Sequence, residues 1–100
     1  MRYTYKLHPD IQKDYADAYA WYEDKLAGLG DRFIIAIRQK IEEIIHRPEV
    51  FGSKGKVGYR EAKVDFFPYL IVYKVYKERK EIFISSIHHT SKKPRKKYRK

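Results

Sequence analysis

The stretch PYLIVYKVYKERKEIFISSIHH, residues 68–89, holds two runs rich in β-branched and aromatic residues, joined by the polar triplet ERK at 78–80. Apolar runs of that length across so short a polar joint predict a β-hairpin. Pro68 belongs at a strand start, where its missing N–H costs least. Just upstream, YREAKV (59–64) reads as another strand, closed by a turn at DFF (65–67). The second half of the chain is therefore a strand meander.

The first half has a different period. In RYTYKLHP (2–9), Tyr3, Tyr5 and Leu7 alternate with Arg2, Thr4 and Lys6, the pattern of a half-buried strand. Pro9 then suits a first helical turn, and Ile11, Tyr15, Ala18, Tyr19, Tyr22 and Leu26 recur at spacings of three and four up to Gly28. After the tight junction GLG (28–30) a second helical stripe follows: Phe33, Ile37, Ile41 and Ile44, widened by Ile34 and Ile45 and stopped by Pro48. Trp21 and the tyrosines fall at helical spacing and are read as packing residues. FGSKGKVG (51–58) lacks apolar periodicity and is expected to be a flexible cationic loop.

The order β-α-α-β-β-β predicts an α+β fold, a helical hairpin packed on one face of a small, largely antiparallel four-stranded sheet. One hundred residues, 43% of them hydrophobic, suffice for one core. We expect a single domain over 1–95 and a basic, flexible tail over 96–100. The absence of cysteine excludes disulfides, and no apolar run is long enough to span a bilayer, so the expected location is cytoplasmic, with no membrane partner.

The net charge of +10 is unevenly placed: residues 1–50 carry −1, residues 51–89 carry +4, and residues 90–100 carry +7. A polyanion would meet the C-terminal half. His88 and His89, neighbours on a predicted strand, face opposite sides and cannot chelate one metal together. No metal and no cofactor are expected. On the open sheet face, the groups expected to suit a phosphate are Arg60, Lys63, one of the two histidines and the tail cations. If the chain cleaves RNA, His, Lys, Tyr and Arg can divide the roles of base, acid and cation without a metal. The alternatives are solvated strand positions for Arg60 and Lys63, one histidine packed and the other exposed, and a tail that attaches loosely to nucleic acid.

GYREAKVDFFPYLIVYKV and IFISSIHHTSKKP resemble the C-terminal half of the RelE/ParE superfamily, toxins of bacterial type II toxin-antitoxin pairs. Residues 8–48 resemble that superfamily's two-helix hairpin, so the likeness covers residues 2 to about 95. It implies a protein toxic to its own cell and neutralised by a cognate antitoxin. In nuclease members an arginine follows the tyrosine that opens the third strand; here Leu70 stands there. Arg60 matches a basic strand position of both branches. His89, Lys92 and Pro94 match a pattern of His, a basic residue and Pro. FPY resembles the ParE-like branch, whose studied members inhibit DNA gyrase, and this branch is the expectation. The resemblance to ribosome-dependent mRNA endonucleases rests on His88 and Tyr98, giving a nuclease set of Arg60, His88, His89, Lys92 and Tyr98. The target-binding or nucleic-acid-binding set is Arg60, Lys63, His89, Lys92, Lys93 and Arg95. A non-catalytic nucleic-acid-binding module is the third reading.

Overall fold

Gly28 and Gly30 set the angle at which the two helices meet. The computed structural model describes residues 2–52, 57–91 and 98–100, with α1 over Ile11–Lys25 and α2 over Leu29–His46. Gly28 has φ +89°, a left-handed conformation that side chains resist. A Cβ on Gly30 would lie 2.7 Å from Glu23 Cγ and 2.9 Å from the Tyr19 carbonyl oxygen, so the α2 backbone needs glycine to come this close to α1. Glu23 completes the joint. Its carboxylate accepts from the Gly28 N–H at 3.1 Å and the Gly30 N–H at 2.9 Å, satisfying donors that the start of α2 leaves unpaired.

Both helices bury most of the predicted stripes, although Tyr19 of α1 stays 37% exposed. Ile11, Ala18 and Tyr22 of α1 and Phe33, Ile37, Ile41, Ile44 and Ile45 of α2 lie in the core. Each isoleucine or phenylalanine among them contributes about 1.5–3 kcal/mol on burial. Leu26 and Trp21 depart from expectation, each 58% exposed. Trp21 sits one residue off the Ala18–Tyr22 stripe, so its ring only edges onto Tyr22 and lies beneath the Lys25 ammonium. Leu26 caps α1 in an extended conformation and leaves the stripe there.

The strands are β1 (Thr4–Leu7), β2 (Arg60–Lys63), β3 (Tyr69–Tyr76) and β4 (Glu81–His89). They form one four-stranded sheet in the order β1-β4-β3-β2, with β1 parallel to β4 and the other pairs antiparallel. The expected α+β fold is thus realised. Strand β1 was expected to be half-buried; it is an edge strand, and Tyr5 and Leu7 remain 43% exposed. Helix α1 packs over β4, and α2 over β2 and β3. The β3–β4 register steps between Val72 and Tyr73, which pair with Ser86 and Ile84 and leave Ser85 as the extra, bulged residue. Under the helices Ile71, Tyr73, Ile82 and Ile84 are fully buried, and the Tyr73 hydroxyl donates to the Pro48 carbonyl at 2.7 Å. That bond fastens the end of α2 to the sheet. Among the described residues no helix is long and apolar enough to cross a membrane.

The loop expected over FGSKGKVG is described only at its ends, and residues 53–56 lie outside the described residues.

Candidate functional site

Register decides which candidate residues share a face. Directly opposed residues of an antiparallel pair point the same way. Lys63 opposes Leu70, and Leu70 opposes His88, so these three form a row on the face away from the helices. Arg60 opposes the buried Tyr73, and His89 opposes Tyr69, so both belong to the helical face. The expectation that Arg60 and Lys63 share the open face is corrected: their odd spacing of three along β2 places them on opposite sides.

Both cations are engaged. Arg60 Nη1 donates to the Phe51 carbonyl at 2.7 Å and the Glu49 carbonyl at 3.3 Å, closing the segment after α2 against β2. Lys63 Nζ donates to the carbonyls of Phe67 at 2.7 Å and Val64 at 2.9 Å, inside the β2–β3 turn. Arg60 is partly buried, whereas Lys63 stays exposed while its ammonium meets the turn. Leu70, between Lys63 and a buried His88, brings neither charge nor donor to this row.

His88 and His89 both line a cleft of about 600 Å³ between α1 and β4, with Tyr69, Trp21, Asp14 and Arg99 among its walls. The His89 ring meets Tyr69 edge-on at 5.0 Å. The Ser91 N–H donates to His89 Nδ1 at 3.1 Å, and Ser91 Oγ lies 2.7 Å from the same nitrogen. With Nδ1 accepting, the neutral ring carries its proton on Nε2, as assigned from this network. Across the cleft Asp14 accepts from the Ile87 N–H at 3.1 Å, beyond the reach of β1, which ties α1 directly to β4. Among the described residues no cluster of three or more His, Asp or Glu is placed to hold a metal.

Tyr98 and Arg99, within the stretch expected to be a flexible tail, both contact the domain. The Tyr98 hydroxyl donates to Glu61 Oε2 at 2.7 Å, and its ring packs on Tyr59 with centroids 5.1 Å apart. The Arg99 carbonyl accepts from Ser85 Oγ at 2.8 Å, and its guanidinium forks onto Asp14. The chain end thus spans the open face from β2 to β4, across a fully buried Val72. Its hydrogen bond to Asp14 raises the Arg99 pKa further above its ordinary value. Sequence composition could not reveal this docking, because the anchors are carboxylates and a hydroxyl far away in the chain. Lys92, Lys93 and Arg95, with Pro94, Lys96 and Lys97, lie outside the described residues.

Residues 5–94 match the family model described as ParE toxin of type II toxin-antitoxin system, parDE. Among curated proteins none matches the chain in sequence. The fold is similar to that of a chain from the chromosomal ParDE toxin-antitoxin system of P. aeruginosa, with TM-score 0.77 and 17% identity, covering 90% of this chain and 98% of that one. It is also similar to the isolated E. coli RelE toxin, with TM-score 0.66 and 18% identity, covering 92% of this chain and 88% of that one.

Proposed function

Since the chain belongs to the ParE toxin family of type II toxin-antitoxin systems, we propose that it arrests its own cell by inhibiting DNA gyrase until a cognate antitoxin binds it. The observation that carries this choice of target is the division of the nuclease candidates. Arg60 belongs to the helical face and Leu70 to the open face, and although His88 and His89 both line the cleft beside β4, neither Arg60 nor Tyr98 is among its walls. An in-line attack by a 2′-hydroxyl needs base, acid and cation around one phosphorus. Here Arg60 is held by two carbonyls, and the position between Lys63 and His88 is Leu70. A protein that acts by binding needs no such convergence.

The endonuclease reading keeps one specific support: His88 and Tyr98 both belong to the open-face side. The two targets separate in paired assays of the purified full chain, one of gyrase supercoiling and one of mRNA integrity in a translating extract. Loss of supercoiling with intact mRNA is expected. Codon-positioned cuts that disappear in His88→Ala, with supercoiling untouched, would overturn the gyrase reading.

The antitoxin is expected to cover the helical hairpin, where Trp21, Leu26 and Ile35 each leave more than half of their surface exposed. Co-purification with the product of the neighbouring reading frame tests this. Failure of that product either to co-elute or to restore growth would count against it.

A further inference from the structure

With Arg60 on the helical face and Lys63 held by carbonyls, the open face offers its cations elsewhere, at the end carrying the β3–β4 turn. Lys6 opposes Phe83 and Phe83 opposes Lys74, which sets lysine, phenylalanine and lysine side by side across β1, β4 and β3. Neighbouring strands lie ~4.8 Å apart, so this row is about the width of one nucleotide's contacts. The Lys74 ammonium sits 4.9 Å from the centroid of Tyr59 and 5.9 Å from that of Tyr76. Among the described residues Lys74 meets no carboxylate within ion-pair distance, unlike Lys13, Lys40, Lys77 and Arg99, each paired with an acid. Arg79 stacks over the other partner ring, 4.3 Å from the centroid of Tyr76. One carboxylate, Glu81, is shared between Lys6 at 3.4 Å and Arg79 at 3.5 Å, so two cations divide a single acid.

The geometry points to a binding site for single-stranded nucleic acid on this surface, with a base stacked on Phe83 and the flanking phosphates held by Lys6, Lys74 and Arg79. Phe83 keeps part of its surface exposed although it lies mid-strand, with its ring centroid 6.0 Å from that of His8. Aromatic rings flanked by cations are the means by which proteins hold single strands without reading their sequence. An acidic polypeptide would be served by the cations alone and gains nothing from the rings. Duplex DNA keeps its bases stacked on each other and has none to offer Phe83. The site lies off the Lys63, Leu70 and His88 row and stands whichever target the toxin inhibits.

The test is fluorescence anisotropy of the full chain with a labelled oligothymidine, alone and annealed to its complement, at two salt concentrations. Phe83→Leu, which keeps an apolar side chain but removes the stacking ring, is expected to weaken single-strand binding roughly 5- to 150-fold, the range of one lost base stack. Lys74→Gln and Lys6→Gln are each expected to reduce the salt dependence by about one released counterion. Thermal melts check that each variant is folded, and the two lysine variants carry the test if Phe83→Leu is not. Wild-type affinity and salt slope in the lysine variants would overturn the site and leave the basic chain end as the whole binder. Equal binding of the duplex, or displacement by polyglutamate as effective as by oligothymidine, would also overturn it, as a general anion surface.

Discussion

The Arg99 guanidinium forks onto the Asp14 carboxylate, Nη1 to Oδ2 at 2.8 Å and Nη2 to Oδ1 at 2.9 Å, joining the chain's last turn of sequence to its first helix. Both side chains are mostly sheltered, at 25% and 15% exposure, so solvent screens the pair less than an ordinary surface bridge. Arg99→Ala is expected to lower stability by about 1–2 kcal/mol. For a domain of this size each kcal/mol moves Tm by roughly 4–8 °C. Truncation after Pro94 removes Tyr98 as well and is expected to lower Tm further. An unchanged Tm in the truncated chain would show that the end is undocked in solution, and a double-mutant cycle with Asp14→Asn isolates the pair.

Gly30→Ala is expected to destabilise by about 1–3 kcal/mol, the usual cost of forcing atoms into a filled contact. The added Cβ would meet the Tyr19 carbonyl oxygen at 2.9 Å as well as two side chains, so side-chain movement alone cannot relieve it. At Gly28 the space is open and the cost comes from φ alone, about 1 kcal/mol for alanine in the left-handed region. Denaturant melts of the two variants would therefore rank Gly30→Ala as the worse. The reverse order would mean that α1 and α2 part more easily than this close approach implies.

Much of this was legible in the sequence because it is written locally. The stripe from Phe33 to Ile45, the stop at Pro48 and the polar joint at 78–80 each record a period or a turn within a few residues. What escaped reading depends on distant pairings. Arg60 and Lys63 look alike on a strand of unknown register, and only the pairing with Tyr73 and Leu70 sends them to opposite faces. Likewise the run that ends in Tyr98 and Arg99 reads as a solvated tail until Asp14 and Glu61 are brought beneath it. Trp21 misled by its type, since a large aromatic at near-helical spacing can sit one position beyond the buried stripe.

Stability is expected to fall at alkaline pH, with the buried tyrosines as the cause. Burial pushes the Tyr73 phenol well above its ordinary value of 10.0, with the nearby Arg60 opposing the shift only in part. Tyr15, Tyr69 and Tyr22 are raised by burial as well. A phenol whose folded pKa is raised contributes its full stability below the unfolded value, and loses it as pH rises from there through the folded pKa. The chain should therefore weaken progressively above about pH 10, where unfolded tyrosines ionise first. In Tyr73→Phe this slope should be shallower, while stability at neutral pH drops by about 1 kcal/mol because the Pro48 carbonyl loses its donor. An unaltered alkaline slope in Tyr73→Phe would assign the effect to other groups.

Arg60 presents a trap for any functional assay. Its guanidinium donates to the carbonyls of Phe51 and Glu49, so alanine there leaves two backbone acceptors short of a partner in the segment that follows α2. Hydrogen bonds from a charged donor are worth about 1.5–3 kcal/mol, and Arg60→Ala is expected to lose stability on that scale whatever the target. Loss of growth arrest in this variant would then report folding. Arg60→Lys separates the two roles, because a lysine can reach one carbonyl while keeping the charge. If Arg60 is a structural tie, stability and growth arrest should recover together in Arg60→Lys, with target affinity per folded molecule unchanged in both variants. If Arg60→Ala melts like the wild type yet no longer arrests growth, Arg60 belongs to the target-binding surface after all.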